Sequence, residues 1–195
     1  MPQETRRPLL DYTLGADELA WVRSVHEDLA ALQRPVAGRE GGLQPKEALR
    51  EVLGRASHAL PAPMDLSGPG PWRNGRTRHG RFVTAVFLRT VELHRHERSR
   101  TDQFPMYVIG EAEAFTIGED GRPLLTPVTL GSHCHNAPGA PHAFVPKVGL
   151  PIGADWEIGF IAITPRNILE DTQPVSEAVR AAYRQAVGQE PPLEP

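Results

Sequence analysis

From residue 82 to residue 164 the apolar runs are cut by proline, glycine or a polar turn before most of them reach helical length, and this punctuation most limits what the chain can fold into. The runs at 82–93, 106–117, 124–130, 142–148 and 156–164 are rich in β-branched and aromatic residues, the composition of strands. GEDGRP marks a turn between the second and third. Short strands at close spacing without intervening helices predict a sandwich or small barrel. The whole-chain composition agrees: 20 prolines and 18 glycines among 195 residues favour strands joined by turns over long bundled helices.

Helical spacing is confined to the ends. Leu19, Val22, Val25, Leu29 and Leu32 make one stripe over 15–32, with Asp17 and Glu18 at its start. A second helix is expected over 45–60, opened by Pro45 and carrying Leu49, Val52, Leu53, Ala56 and Leu60, with RPVAGREGGLQ as the loop between the two. Val175, Val179, Tyr183 and Val187 predict a C-terminal helix followed by a frayed tail. The chain therefore divides into a helical extension (1–60), a Pro/Gly/Arg-rich connection (61–80), a strand-rich barrel (81–165) and a C-terminal helix with tail (166–195).

The formal net charge is −3, which gives no overall field to gather nucleic acid. The loop between the first two helices is too long, and the helices too little basic, for a helix-turn-helix reader of DNA. Eight arginines from Arg73 to Arg100 make a local basic run that lacks interleaved aromatics for stacking on bases. Most of it reads as a solvated edge or a subunit contact. Arg81 and Arg89 are the members to consider for clamping a substrate carboxylate. The single Cys134 excludes an intrachain disulfide and fits a reducing cytoplasm. The chain shows neither a signal-peptide pattern nor an apolar run of membrane-spanning length.

Five of the eight histidines fall between residues 94 and 142. His94 and His96 stand one residue apart at an expected strand end, so the two-residue period of a strand puts both imidazoles on one face. A metal needs ligands converging from one side, and this pair supplies two. Two surface histidines beside a basic run are the plain alternative.

The stretch HRHERSRTDQFPMYVIGEAEAF resembles the first motif of the cupin superfamily, and NAPGAPHAF resembles the second. The likeness covers roughly residues 82–164. It implies a mainly β, double-stranded β-helix (jelly-roll) barrel, a homodimer as many cupins are, and a divalent metal with His142 as third ligand beside His94 and His96. The chain departs from the family where the glutamate ligand is usual: counting back from Gly110 places Gln103 there, and counting from Tyr107 places Phe104. A three-histidine site is the preferred reading, and a site that includes Asp102 stays open. Three-histidine cupin centres resemble those of thiol dioxygenases. This implies Fe(II), although imidazole ligands also accept Ni, Cu and Zn, with O2 and a small polar substrate such as cysteine or a related thiol. A metal-dependent lyase, isomerase or epimerase and a non-catalytic ligand-binding cupin are the rivals.

Two further residues are candidates for catalysis. Glu92 shares strand parity with His94 and His96 and either orients a histidine, accepts a proton or faces solvent. Tyr107 shares parity with Gln103 and either donates its hydroxyl to substrate or oxygen or is an ordinary amphipathic strand residue. His133 and His135 form a second His-x-His before the Pro/Gly turn, and either a ligand, an acid/base or a surface role is open to them. Phe144, Trp156, Ile158 and Phe160 read as core and pocket wall, and Cys134 as a small packed thiol.

Overall fold

The computed structural model of the chain describes residues 12–32, 44–66, 72–89, 92–149 and 156–191. Two N-terminal helices, α1 (Ala16–Leu32) and α2 (Pro45–Ala56), lead through a short 3-10 turn into strands β1 (Trp72–Arg76) and β2 (Phe82–Leu88). There follow β3 (Arg95–His96), β4 (Thr101–Ile109), β5 (Ala112–Ile117), β6 (Pro123–Val128), β7 (Cys134–Asn136), β8 (His142–Pro146) and β9 (Glu157–Thr164). A one-turn helix α3 (Ile168–Asp171), β10 (Thr172–Gln173) and α4 (Glu177–Val187) complete the described chain. The protein is mainly β. No helix among the described residues is long and apolar enough to cross a membrane.

The strands form one five-stranded sheet in the order β1-β2-β9-β4-β7, one three-stranded sheet in the order β6-β5-β8, and the small pair β10-β3. All their pairings are antiparallel, and among the described residues no ladder closes the sheets into a barrel. Side-chain alternation explains how four layers pack. In β2, Val83, Ala85 and Phe87 turn outward to α1 and α2, while Val86 turns inward. In β9, Ile161 and Ile163 go outward, while Ile158, Phe160 and Ala162 meet Phe144 and Val128 of the smaller sheet. The outer face of that smaller sheet offers Phe115, Ala143 and Val145 to Tyr183 and Val187 of α4. Because both faces of β9 are covered, all its residues are buried, and the segment reads as one continuous apolar run.

The helices are tied to the sheet by polar contacts at their ends. The Trp21 indole donates to the Ala56 carbonyl at 2.9 Å, and Arg81 pairs with the buried carboxylate of Glu18. The Arg81 guanidinium also lies 4.3 Å over the Tyr12 ring. Proline at 123 and 127 fits the position of β6 at a sheet edge, where a missing N–H costs nothing.

Two sequence expectations need correction here. The connection 61–80 contains a strand, β1, which WRNGR disguises because an edge strand, laddered to β2 on one side and bridged on the other only by Ala62, can be polar. The run 106–117 is two strands rather than one, broken at Gly110 in a left-handed conformation (φ 76°). Most of the loop expected between the first two helices lies outside the described residues.

Candidate metal centre

The antiparallel geometry between β3 and β8 brings three histidines together. His94 and His142 face each other across an isolated bridge, His142 N–H donating to the His94 carbonyl at 2.9 Å and His94 N–H to that of His142 at 3.2 Å. Directly opposed residues share a face, so one bridge juxtaposes two rings from distant parts of the sequence. His96, two residues along, keeps the same side. Its carbonyl accepts from Gly139 N–H at 2.7 Å, which draws the turn before β8 against β3. Gly139 has φ 80°, a conformation that other residues adopt only under strain.

The ring centroids lie 4.4 Å (His94–His142), 4.9 Å (His94–His96) and 5.1 Å (His96–His142) apart, and one nitrogen from each ring lies within 4.8 Å of the others. Backbone carbonyls set two of the tautomers. Nδ1–H of His94 donates to Glu92 O at 2.8 Å and Nδ1–H of His142 to Ala140 O at 3.0 Å, leaving Nε2 as the unprotonated nitrogen of each neutral ring. Nε2 of His142 and both ring nitrogens of His96 are buried without a hydrogen-bond partner. Burial holds the pKa of His96 down to about 3, helped by the neighbouring His94, and burial likewise puts that of His142 well below the ordinary histidine value. Both are neutral imidazoles at physiological pH, the form that binds metals.

A cavity of about 190 Å³ opens beside His142, with Gln103, Thr126, Cys134, Asn136 and Phe144 among its walls. Asn136 donates to the Gln103 side-chain oxygen at 3.2 Å. Gln103, which counting back from Gly110 puts where the resembled family carries its glutamate, lies on the cavity wall with His142, its side-chain oxygen engaged by Asn136. Cys134 is pushed up to about 11 by burial and stays a thiol.

Several sequence candidates are placed elsewhere. The Tyr107 side chain lies on the helix-covered face of the five-stranded sheet, where its hydroxyl donates to Glu157 Oε1 at 2.5 Å. A register shift between Pro105 and Tyr107 turns that side chain away from the face that Gln103 uses. Glu92 contributes its backbone carbonyl to His94, as described above. The Asp102 carboxylate is fully buried outside the histidine cluster, forked by Arg100 at 3.1 and 3.2 Å and contacted by His133 Nε2 at 2.7 Å and His135 Nδ1 at 3.4 Å. Burial pushes its pKa up, but the bonds from Arg100, His133 and Tyr12 outweigh that and leave it lowered. Asp102 is therefore not a fourth ligand in this arrangement. Arg81 is held by Glu18, and Arg89 reaches Glu157 at 3.5 Å, so neither is placed as a clamp in the cavity.

No protein-family model matches the chain, and no curated protein matches it. Among solved structures, a point mutant of Bacillus subtilis oxalate decarboxylase is similar with a TM-score of 0.42 at 16% identity, covering 66% of this chain and 34% of that one. The formate complex of Lactobacillus farciminis oxalate decarboxylase gives 0.41 at 17% identity over 69% and 43% of the two chains. Peruvianin-I, a cysteine peptidase from Thevetia peruviana latex, gives 0.38 at 15% identity over 49% and 56%. The chain spans about a third of the length of the Bacillus subtilis protein, 34%.

Proposed function

We propose that this chain is a metal-dependent, cupin-type enzyme that holds Fe(II) through His94, His96 and His142 and oxidises a small polar substrate with O2. The observation that carries the reading is the set of buried, unpartnered imidazole nitrogens on His96 and His142. An unpartnered buried acceptor costs about 1–3 kcal/mol, and a bound cation is the natural partner for several that converge. Fe(II) bound there would supply an open position for a chelating substrate and the electrons that O2 activation requires. The carbonyls of Glu92 and Ala140 orient the imidazoles, and Phe144, Phe160 and Ile158 between the sheets exclude bulk water. Small thiols are the first substrates to try, by the likeness to three-histidine thiol dioxygenases.

A metal-dependent lyase or isomerase is the second reading, and one observation favours it. His133, backed by Asp102 at 2.7 Å and stacked on Phe104, lines the same cavity as His142 and offers a positioned proton acceptor. Oxygen uptake by anaerobically Fe(II)-loaded protein, with metal content measured on the same sample, separates the two. Uptake dependent on a thiol and lost on chelation supports the dioxygenase. Product formation without O2 consumption supports the lyase, and failure to retain any divalent metal refutes both.

A further inference from the structure

We infer that the Gln103–Asn136 amide pair is a recognition element that selects a substrate uncharged where it meets this pair: a small carboxamide, alcohol or similar neutral hydrogen-bonding group. The inference rests on the reading of the histidine cluster as a metal centre, since His142 lines the same cavity as the pair. Gln103 and Asn136 are 2% and 7% exposed, yet the one hydrogen bond either side chain makes among the described residues is to the other. The Gln103 amide nitrogen therefore remains as donor and the Asn136 side-chain oxygen as acceptor, both belonging to side chains that line the cavity. Two side-chain amides with unused capacity on one cavity wall are what a ligand with complementary donors and acceptors would satisfy.

The charge of the walls sharpens this to a class. No Arg, Lys, Asp or Glu is among the described residues lining the cavity, and its His133 and His135 are engaged with Asp102, at 2.7 and 3.4 Å, which Arg100 also forks. A carboxylate or ammonium held at the amide pair would lose its hydration and meet two neutral amides in exchange, a large penalty for an ion and a small one for a neutral group. A metal dication would compensate an anionic atom bound to it, not a second charge lodged against the amides. The cavity of about 190 Å³ limits the occupant to a small molecule. Among thiols, the inference favours an amide-bearing one over zwitterionic cysteine.

The test uses isosteric pairs on the full chain. Propionamide and propionate are titrated into metal-free protein, and mercaptoacetamide and thioglycolate into the Zn(II)-loaded protein, while the side-chain amide resonances of Gln103 and Asn136 are followed by NMR. The expected result is amide-ligand binding about tenfold or more tighter than carboxylate binding, with shifts at both side-chain amides. Gln103→Leu should abolish the preference while leaving zinc stoichiometry unchanged, which also shows that the variant is folded. Equal or tighter binding of the carboxylates, no binding of the amides, or a preference that survives Gln103→Leu would overturn the inference. Should Gln103→Leu not fold, the wild-type amide shifts alone decide. Protein that retains no zinc but still prefers propionamide would refute the metal reading and spare the amide site.

Discussion

Replacing His96 by leucine should reverse the stability ranking of the protein between its metal-free and metal-loaded states. His96 is 1% exposed, and neither ring nitrogen has a hydrogen-bond partner. Leucine fills a similar volume and removes both polar atoms. Each unpartnered buried polar atom costs about 1–3 kcal/mol, and some of the gain is lost to imperfect packing, so the metal-free variant should be about 1–3 kcal/mol more stable at neutral pH. In a chain of this length that is a rise of roughly 2–10 °C in Tm. Metal at a hundredfold excess over Kd stabilises the wild type by about 2.7 kcal/mol and should do nothing for the variant.

The same residue makes the metal-free fold sensitive to acid. Its pKa is depressed from 6.5 in the unfolded chain to about 3, so protons bind the unfolded state first. The stability contributed by the neutral ring is complete above about pH 6.5 and is lost as pH falls toward about 3. One pKa unit is worth about 1.4 kcal/mol, so the loss from His96 is on the order of 3 kcal/mol at about pH 4.5, with His142 adding in the same direction. His96→Leu should remove its own share of that slope. Thermal unfolding with chelator and with excess Zn(II), and urea unfolding of the metal-free proteins across this pH range, measure all three effects. A variant less stable than wild type in chelator, or with an unchanged acid slope, would refute the reasoning, as would one still stabilised by zinc.

Other perturbations probe the surroundings. Asp102→Asn should cost about 3 kcal/mol in urea unfolding by breaking a buried pair with Arg100, yet leave metal stoichiometry unchanged; acid should remove the same stability below the unfolded carboxylate value of 3.8. Gly159→Ala places a methyl 2.2 Å from a Tyr107 ring carbon and should destabilise by about 1–3 kcal/mol, a penalty that Tyr107→Ala relieves in the double mutant. Gly139→Ala, at φ 80°, should cost about 1–2 kcal/mol and weaken metal binding, because the same turn holds the His96 carbonyl; calorimetric titration with Zn(II) checks this. With its thiol raised to about 11, Cys134 should react with iodoacetamide at about pH 8 some two orders of magnitude more slowly than an ordinary free thiol.

How much of this was legible in the sequence follows from which physical rule each feature obeys. The amphipathic helices and most longer strands obey simple periods, so α1, α4, β2, β6, β8 and β9 fall within or close to their expected segments. His94 and His96 are paired by the strand period, but His142 joins them through a single backbone bridge, a long-range pairing that no period encodes, and only the motif likeness pointed to it. Parity failed at Tyr107 because the register of β4 shifts between Pro105 and Tyr107. Gln103 pairs with inward Ala162 while Tyr107 pairs with outward Gly159, although four residues separate them. Gly159 carries a visible trace of this, since only a residue without a side chain leaves room for the Tyr107 ring, but the trace has meaning only once the strands are paired. The backbone carbonyl of Glu92 holds His94, a role that side-chain chemistry does not signal.

The layering explains why a site with unpartnered imidazoles can exist at all. Helices seal the outer face of the five-stranded sheet and α4 seals the outer face of the three-stranded one, so the apolar clusters on both outer faces contribute stability without using the histidine rings. That surplus allows the β3–β8 junction, a single bridge and one turn, to hold two neutral buried rings at a cost of several kcal/mol. A better-satisfied junction, with a hydrogen-bond donor for Nε2 of His142 and of His96, would be more stable without metal and would have no affinity for it. The instability predicted for His96 in the metal-free protein and the proposed affinity for metal are therefore one quantity measured from two ends, and His96→Leu should abolish both together.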